Sequence, residues 1–400
     1  MSISASKQKG GPRLTDIAKL SIVGMIVSLA FAYVGTIWAV YLDSFVNNTA
    51  IVGFISAFLT VIAFLAAFFF VPIIERKNKS RIYAFSLLSL VIAYLLFAFN
   101  RDFYLMIAIA IFMTLLYCLR ITSFGILVKD NSSRKLLSRN EGIIYTASNI
   151  SWVIGPLIAG YVLSGFGFKG VFLLAALFMF IGLFIFKSFG VKGDGMKKRS
   201  DKHMLKNFVD FFSDKRRLIS YILRSGVGVW WVLIYLFMPL RIIHSGLDKL
   251  WIGYFLFAIA VPLILSEYYF SEWAGRHGFK KIFKIGYFFV ATIAIICFFV
   301  SNIYVVLGLL VLASFGMAML EPTTEAYFFD ILNGKEEYRF YGPYSTSMYF
   351  GSFIGRIFPS VLLIFLPFKF IFPLFGGFML FLFFLSFRAS NIVESKRKSF

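Results

Sequence analysis

The sequence predicts an all-α integral membrane protein with twelve transmembrane helices in two six-helix halves. Three observations predict it. The chain is 60% hydrophobic, 20% aromatic and only 15% charged, with a mean hydropathy of +0.84, far too apolar for a soluble domain of ordinary composition. Apolar stretches of about 18 to 27 residues follow one another with short polar breaks, each long enough to cross a hydrocarbon layer about 30 Å thick. Finally, the basic residues alternate between connections, heavy on one side and light on the other.

The first six spans are Leu20–Leu42, Ala50–Ile73, Ile82–Phe99, Tyr104–Val128, Ile143–Leu163 and Phe168–Lys187. The second six are Leu218–Leu240, Leu250–Ser271, Ile282–Val300, Ile303–Phe328, Pro343–Leu366 and Phe370–Phe387. The N-terminal Lys7, Lys9 and Arg13 before an apolar run imitate a secretory signal. The run continues past Ala30-Phe31-Ala32 to Leu42, so an uncleaved first span is expected. Cys118 and Cys297 fall inside spans of opposite halves and read as small buried hydrophobes rather than a disulfide.

The net charge of +21 raises the question of a nucleic-acid partner. The placement of the charge answers it. With a cytoplasmic N-terminus, 32 of the 40 Lys and Arg fall on cytoplasmic segments and 5 on outer loops, namely Arg101, Lys169, Arg241, Lys249 and Lys369. That asymmetry puts both termini in the cytoplasm of a multi-pass cell-membrane protein. The basic character records topology, and no nucleic-acid partner is expected.

Residues 190–217 form the longest polar stretch and divide the chain into an N-terminal bundle (1–189), a cytoplasmic linker (190–217) and a C-terminal bundle (218–400). Within the linker, Phe208, Val209, Phe211 and Phe212 beside Lys206, Lys215 and Arg216 read either as a short helix in the headgroup layer or as plain linker. Sliding the chain on itself by 200 positions superposes the spans one for one. Gly53 then meets Gly253, Arg76 meets Arg276, Gly142 meets Gly342, Thr146 meets Thr346, and Ile154-Gly155 meets Ile354-Gly355. Glycines and arginines recurring in register indicate an internal duplication, a construction that transporters use.

Two motifs carry a family resemblance. After the second span comes Val71-Pro72-Ile73-Ile74-Glu75-Arg76-Lys77-Asn78-Lys79-Ser80-Arg81. After the eighth comes Ser271-Glu272-Trp273-Ala274-Gly275-Arg276-His277-Gly278-Phe279-Lys280-Lys281. Both resemble the loop signature of the major facilitator superfamily, G-x-x-x-[DE]-R-x-G-[RK]-[RK]. Glu75 and Arg76 match its acid–base pair in the first copy, with Val71 and Asn78 in place of the glycines. Arg276, Gly278 and Lys280 match in the second, with Gly275 in place of the acid. A carboxylate beside a tight basic turn clamps neighbouring helices in one state and releases them in another.

The fifth span, with Gly142, Ser151, Gly155-Pro156, Ala159 and Gly160, resembles the G-x8-G-x3-G-P-x2-G-G signature of that superfamily's twelve-span drug and proton antiporters. Small residues at four-residue spacing allow close helix approach, and Pro156 bends the helix where the halves meet. The resemblance implies two six-helix bundles related by a pseudo-two-fold axis around a central cavity lined by spans one, four, seven and ten. It further implies a protein that rocks between two open states to move a small-molecule substrate across the lipid bilayer, in exchange for protons in the antiporter branch. The alternatives are a facilitator or symporter importing an anionic metabolite, and, from another class, a membrane receptor or enzyme. No cofactor loop, metal cluster or catalytic triad is legible, so no enzyme activity, cofactor or metal is expected.

Ionisable groups within spans are the remaining candidates, because each costs a few kcal/mol in hydrocarbon unless it has a partner or a task. The cations are Arg120, Arg224 and Arg356; the anions are Glu267, Glu321 and Glu325. Counting about 1.5 Å per residue places Arg120, Arg224, Glu267 and Glu321 in one layer, where ion pairs are expected. Arg120 is similar to the arginine of the antiporters' fourth-span signature, although Gly125 falls one residue beyond the expected glycine. Glu321 precedes Pro322 and lies one turn before Glu325, so it reads either as a proton carrier or as an arginine's partner. Arg356, near mid-depth with no carboxylate at its level, reads as an anion or water site, or as a donor to carbonyls of a broken helix. Trp230, Trp231 and Tyr235 in the seventh span either line a cavity or pack against lipid and neighbours.

Overall fold

The computed structural model describes residues 14–75, 77–132, 137–191, 204–332 and 336–392. The N-terminal half comprises α1 (Asp16–Val46), α2 (Thr49–Glu75), α3 (Lys79–Phe99), α4 (Phe103–Asp130) and α5 (Leu137–Phe189). Helix α5 runs for 53 residues and holds two spans, because Gly167 interrupts it with φ 64° and ψ −168°, a conformation that a side chain would resist. A short helix α6 (Met204–Phe212) precedes the second half. That half comprises α7 (Lys215–Val232), α8 (Met238–His244), α9 (Leu250–His277), α10 (Phe279–Phe299), α11 (Ile303–Asp330), α12 (Glu337–Ser345), α13 (Ser347–Phe365) and α14 (Ile371–Ser386). Helices α7 and α8 join through a π turn, Leu233–Phe237, into one span, and α12 and α13 together form another. The fold is therefore twelve spans in two six-span bundles.

The sequence explains the breaks. Polar caps start the helices: Asp102 Oδ1 accepts from Leu105 N at 2.7 Å and, 200 residues later, Asn302 Oδ1 accepts from Tyr304 N at 2.9 Å. Pro239 has no N–H to give to the carbonyl four residues back, and the ladder there re-registers so that Met238 N donates to Leu233 O. Gly278, with φ 96°, ends α9 inside the loop motif, whereas its counterpart Asn78 keeps φ at −70° and caps α3 through its side chain. The acid missing at Gly275 is supplied one turn earlier, where Glu272 pairs with Arg276. Glu75 closes α2, but its side chain and Arg76 lie outside the described residues.

Packing follows the duplication. Within the halves, α1 seats against α5 and α7 against α13; between them, α2 meets α13 and α5 meets α9. A Cβ built on Gly155 falls 2.5 Å from Ala32 Cβ, and one built on Gly355 falls 3.2 Å from Val232 Cβ, a contact shifted by 200 at both ends. Gly155 therefore packs inside its own half, not between the halves as its motif implied. The contact between halves falls to its neighbours: a Cβ on Gly253 lies 2.6 Å from the Pro156 carbonyl oxygen, and one on Gly160 lies 3.0 Å from Gly253 Cα. The symmetric approach on the other arm is Gly53 against Ser360. Gly142 faces open space, with nothing within 4 Å of a built Cβ.

Helix α6 decides the reading of its stretch. Phe211 is fully buried with Tyr221, Phe328, Leu332, Phe340 and Tyr344, while Val209 remains 70% exposed. Arg217 Nη2 donates to Asp210 O at 2.6 Å, and Arg339 bonds Asn207 Oδ1 at 2.8 Å and pairs with Asp210. The stretch is thus a helix docked on the end of the C-terminal half.

Candidate functional site

The C-terminal half holds five of the six ionisable groups singled out within the spans, Arg224, Glu267, Glu321, Glu325 and Arg356. Arg224 on α7 donates to the backbone oxygen of Glu321 at 2.9 Å, and its guanidinium lies 3.3 Å from Glu325 Oε2. Tyr341 also donates to Glu325, at 3.1 Å. The Glu321 carboxylate accepts instead from Trp231 Nε1 at 3.4 Å. Within the seventh span, Tyr235 sits in the π turn with its ring 5.5 Å from Trp231 and 5.7 Å from Trp152 of the other half. Trp230, one position before Trp231, is only 1% exposed and belongs to the packing of its own bundle. Glu267, half-buried on α9, lies close enough to Glu321 to feel its charge. Tyr145 on α5, in the N-terminal half, also lies close enough to Glu321 to feel its charge.

Arg120 stands apart from this layer. Its guanidinium carbon lies 4.4 Å from the Phe31 ring centre and 5.3 Å from that of Tyr117, and its Nε is buried without a partner. No carboxylate stands within ion-pair distance of it among the described residues. No ion pair forms within the expected layer of Arg120, Arg224, Glu267 and Glu321 among the described residues; Arg224 pairs instead with Glu325, outside it, because a side chain's direction around its helix separates groups that depth alone places together. Arg356 on α13 reaches the other half: its Nη1 donates to Thr60 Oγ1 of α2 at 2.6 Å and to Ser352 O at 3.4 Å, and its Nε is also buried without a partner.

The two halves touch at the end opposite the basic segments. There His244 Nε2 lies 2.7 Å from Asp43 Oδ2, Ser164 Oγ donates to Asp248 Oδ1 at 3.1 Å, and the Tyr161 and Tyr254 hydroxyls are 2.9 Å apart. Each of these contacts crosses between the halves. At the basic end, no hydrogen bond or ion pair joins the halves among the described residues. Glu141, Gly142 and Tyr145 are exposed there, and Glu325 is half-buried. The polar contacts between the halves are thus concentrated at the far end.

The model of the major facilitator superfamily matches residues 20–271 and 252–400, which is nearly the whole sequence. The chain belongs to the major facilitator superfamily. Among solved structures, this member resembles a POT family transporter in complex with 5-aminolevulinic acid, with a TM-score of 0.77, 12% identity, and coverage of 95% of this chain and 96% of that one. It also resembles the nucleoside transporter NupG, with a TM-score of 0.73, 14% identity, and coverage of 94% and 99%. The human organic anion transporter MFSD10 (TETRAN) matches with a TM-score of 0.65, 14% identity, and coverage of 92% and 98%. At such identities the likeness shows the fold. No curated protein matches the sequence. Membership and fold make this chain a multi-pass membrane transporter.

Sequence reasoning missed Asp43, His244, Thr60 and Trp152. Asp43 lies one residue past the first predicted span, and His244 falls in what reads as a loop. The 200-residue repeat held a signal for Thr60. It aligns Pro156 with Arg356, so the partner that Pro156 approaches, Gly253, has its counterpart Gly53 on α2, two turns from Thr60.

Proposed function

We propose that this superfamily member is a proton-coupled secondary transporter of a small organic solute, working by alternating access with Glu321 as the proton carrier. The observation that carries the reading is the state of that carboxylate. It is held by an indole N–H, while the neighbouring Arg224 directs its guanidinium to Glu325 and to the backbone of Glu321. A carboxylate set in an apolar wall without a cation on its oxygens is free to take up and release a proton. Pro322 beside it and Glu267 nearby tie its charge to the geometry of α11 and α9. Neutral Glu321 crosses the rocking step, and the charged form waits for a proton.

The fifth-span likeness favours export in exchange for protons, with Pro156 and Gly160 at the pivot, in a cell membrane with both termini cytoplasmic. The second reading, uptake of a metabolite by symport or facilitation, draws on Arg356, a cation between the halves with no carboxylate on it among the described residues. Counterflow in proteoliposomes with a panel of nucleosides, amino acids, peptides and organic acids tests the reading, run with and without a pH gradient. At least one solute should accumulate only with the gradient. Equal uptake with and without it, for every solute carried, would remove proton coupling.

A further inference from the structure

Two of the three arginines within the spans have no carboxylate within ion-pair distance among the described residues, and a chain of side chains links them across the contact between halves. Arg356 donates to Thr60 on α2. One turn on, the Ala63 carbonyl of α2 accepts from Cys118 Sγ of α4 at 3.4 Å. Tyr349, seven residues before Arg356 on α13, lies beside Cys118 and Tyr117, and its ring is 6.4 Å from that of Phe64. Tyr117 in turn stands against Arg120, 5.3 Å from its guanidinium carbon. Arg356, Tyr349, Tyr117 and Arg120 therefore form one continuous strip, with a cation at each end and phenol rings between. Seven helical residues correspond to about 10 Å along the membrane normal, so Arg356 and Tyr349 are separated by roughly the length of a small organic molecule.

Neither cation is saturated. A guanidinium has five N–H donors. Arg356 directs Nη1 alone to protein acceptors among the described residues, and the Nε of both arginines is buried without a partner. Arg120 is only 9% exposed and rests on the faces of Phe31 and Tyr117. Arg224 shows how this fold satisfies an arginine that holds structure, with a carboxylate, a hydroxyl and a carbonyl around it. Arg120 is left with cation–π contact and the neighbouring hydroxyls of Tyr83 and Tyr117, and Arg356 with a single hydroxyl and carbonyl. Buried donors of that kind await an acceptor, and a carboxylate or phosphate matches the fork of a guanidinium.

We propose that Arg356 and Arg120 are the two ends of the substrate site. On this proposal the site takes a small organic anion, its carboxylate or phosphate on Arg356 and its apolar body against Tyr349 and Tyr117. Arg120 meets the far end of the molecule and favours a second acceptor there. The proposal rests on the transport reading only in calling the ligand a substrate; the binding itself stands on the geometry. It also accounts for a division of labour, with cations at the α2–α4–α13 strip for the solute and carboxylates on α9 and α11 for the proton.

Binding to the purified full-length protein in nanodiscs tests it without transport. The probes are benzoate, phenyl phosphate and succinate, each beside a neutral or amide counterpart such as benzamide or succinamide. Affinity is read by thermal shift and by calorimetry. At least one anion should bind, and its neutral counterpart at least tenfold more weakly. Arg356→Gln should weaken the anion at least tenfold and Arg356→Lys less. Arg120→Gln should weaken succinate more than benzoate. Thr60→Val, which leaves the charge in place, should change affinity by only a few-fold and guards against misfolding of the arginine variants. Neutral counterparts binding as well as the anions, or anions binding Arg356→Gln as tightly as the parent, would overturn the proposal. Glu321→Gln should bind the anion normally. Absence of pH coupling in the parent protein with anion binding intact condemns the proton reading alone, whereas loss of arginine dependence with coupling intact condemns this one alone.

Discussion

Gly253→Val is expected to force the far end of the protein open. A Cβ at this position lies 2.6 Å from the Pro156 carbonyl oxygen, 3.1 Å from Gly160 Cα and 3.4 Å from Leu157 Cα. All three are backbone atoms, which cannot rotate away as a side-chain tip can, so the added carbons must push α9 off α5. Overpacking of this kind costs about 1–3 kcal/mol. The cost applies only while the far end is shut. In a two-state equilibrium it shifts the ratio of far-open to far-closed molecules about 5- to 150-fold, at about 1.4 kcal/mol per factor of ten. Ser360→Cys, in a background with Cys118 and Cys297 replaced by serine, is the reporter. Ser360 is fully buried against Gly53 on the α2–α13 arm and touches none of the atoms around Gly253. If the halves move as bodies, Gly253→Val should speed maleimide labelling of that cysteine severalfold or more. Unchanged labelling in a variant that still folds would mean that α9 yields locally, and the rocking account would fail.

Further expectations follow from single contacts. Asp43→Asn or His244→Gln removes the charged or ring partner of the 2.7 Å contact at the far end, and should raise the same reporter's labelling, by less than Gly253→Val. Ser213→Cys, in the turn between α6 and α7, should resist an impermeant thiol reagent added to intact cells and react after permeabilisation, given where the basic residues fall. Arg339→Ala should loosen α6, since it removes the bonds to Asn207 and Asp210, and proteolysis within 190–217 should quicken severalfold. Asp214 caps α7. Burial opposes its ionisation, but the amides of Arg217 and Arg216 and their side-chain charges outweigh burial and hold its carboxyl below the usual range. Its contribution is therefore complete above the unfolded carboxyl's pKa and lost only as pH falls through the lower folded value. Amide exchange at Arg216 and Arg217, corrected for intrinsic rate, should stay protected into the acid range and fail only beyond it.

The spans were legible because lipid imposes one length and one composition on each, and the duplication because Gly53 and Gly253 perform the same close approach on two arms. The chemistry of the site was less so. Glu321, Arg224 and Glu325 were picked out as ionisable groups within spans, but which carboxylate Arg224 meets depends on its direction around α7. The spacing of residues along the chain does not encode that direction. Gly155 matched a motif whose partner helix the sequence does not name, and it proved to face Ala32 of its own half. His244 and Asp43 are 201 residues apart and belong to no repeat-related pair, so only the closed structure brings them together.

The central claim is that Glu321 carries the proton, and Glu321→Gln measured in proteoliposomes tests it most directly. The variant fixes the neutral form while the amide can still accept from Trp231. Exchange of labelled solute across the membrane, which needs only the conformational change, should survive at a rate within a few-fold of the parent. Accumulation driven by a pH gradient should vanish. Gradient-driven accumulation by Glu321→Gln at the parent's rate would contradict the account.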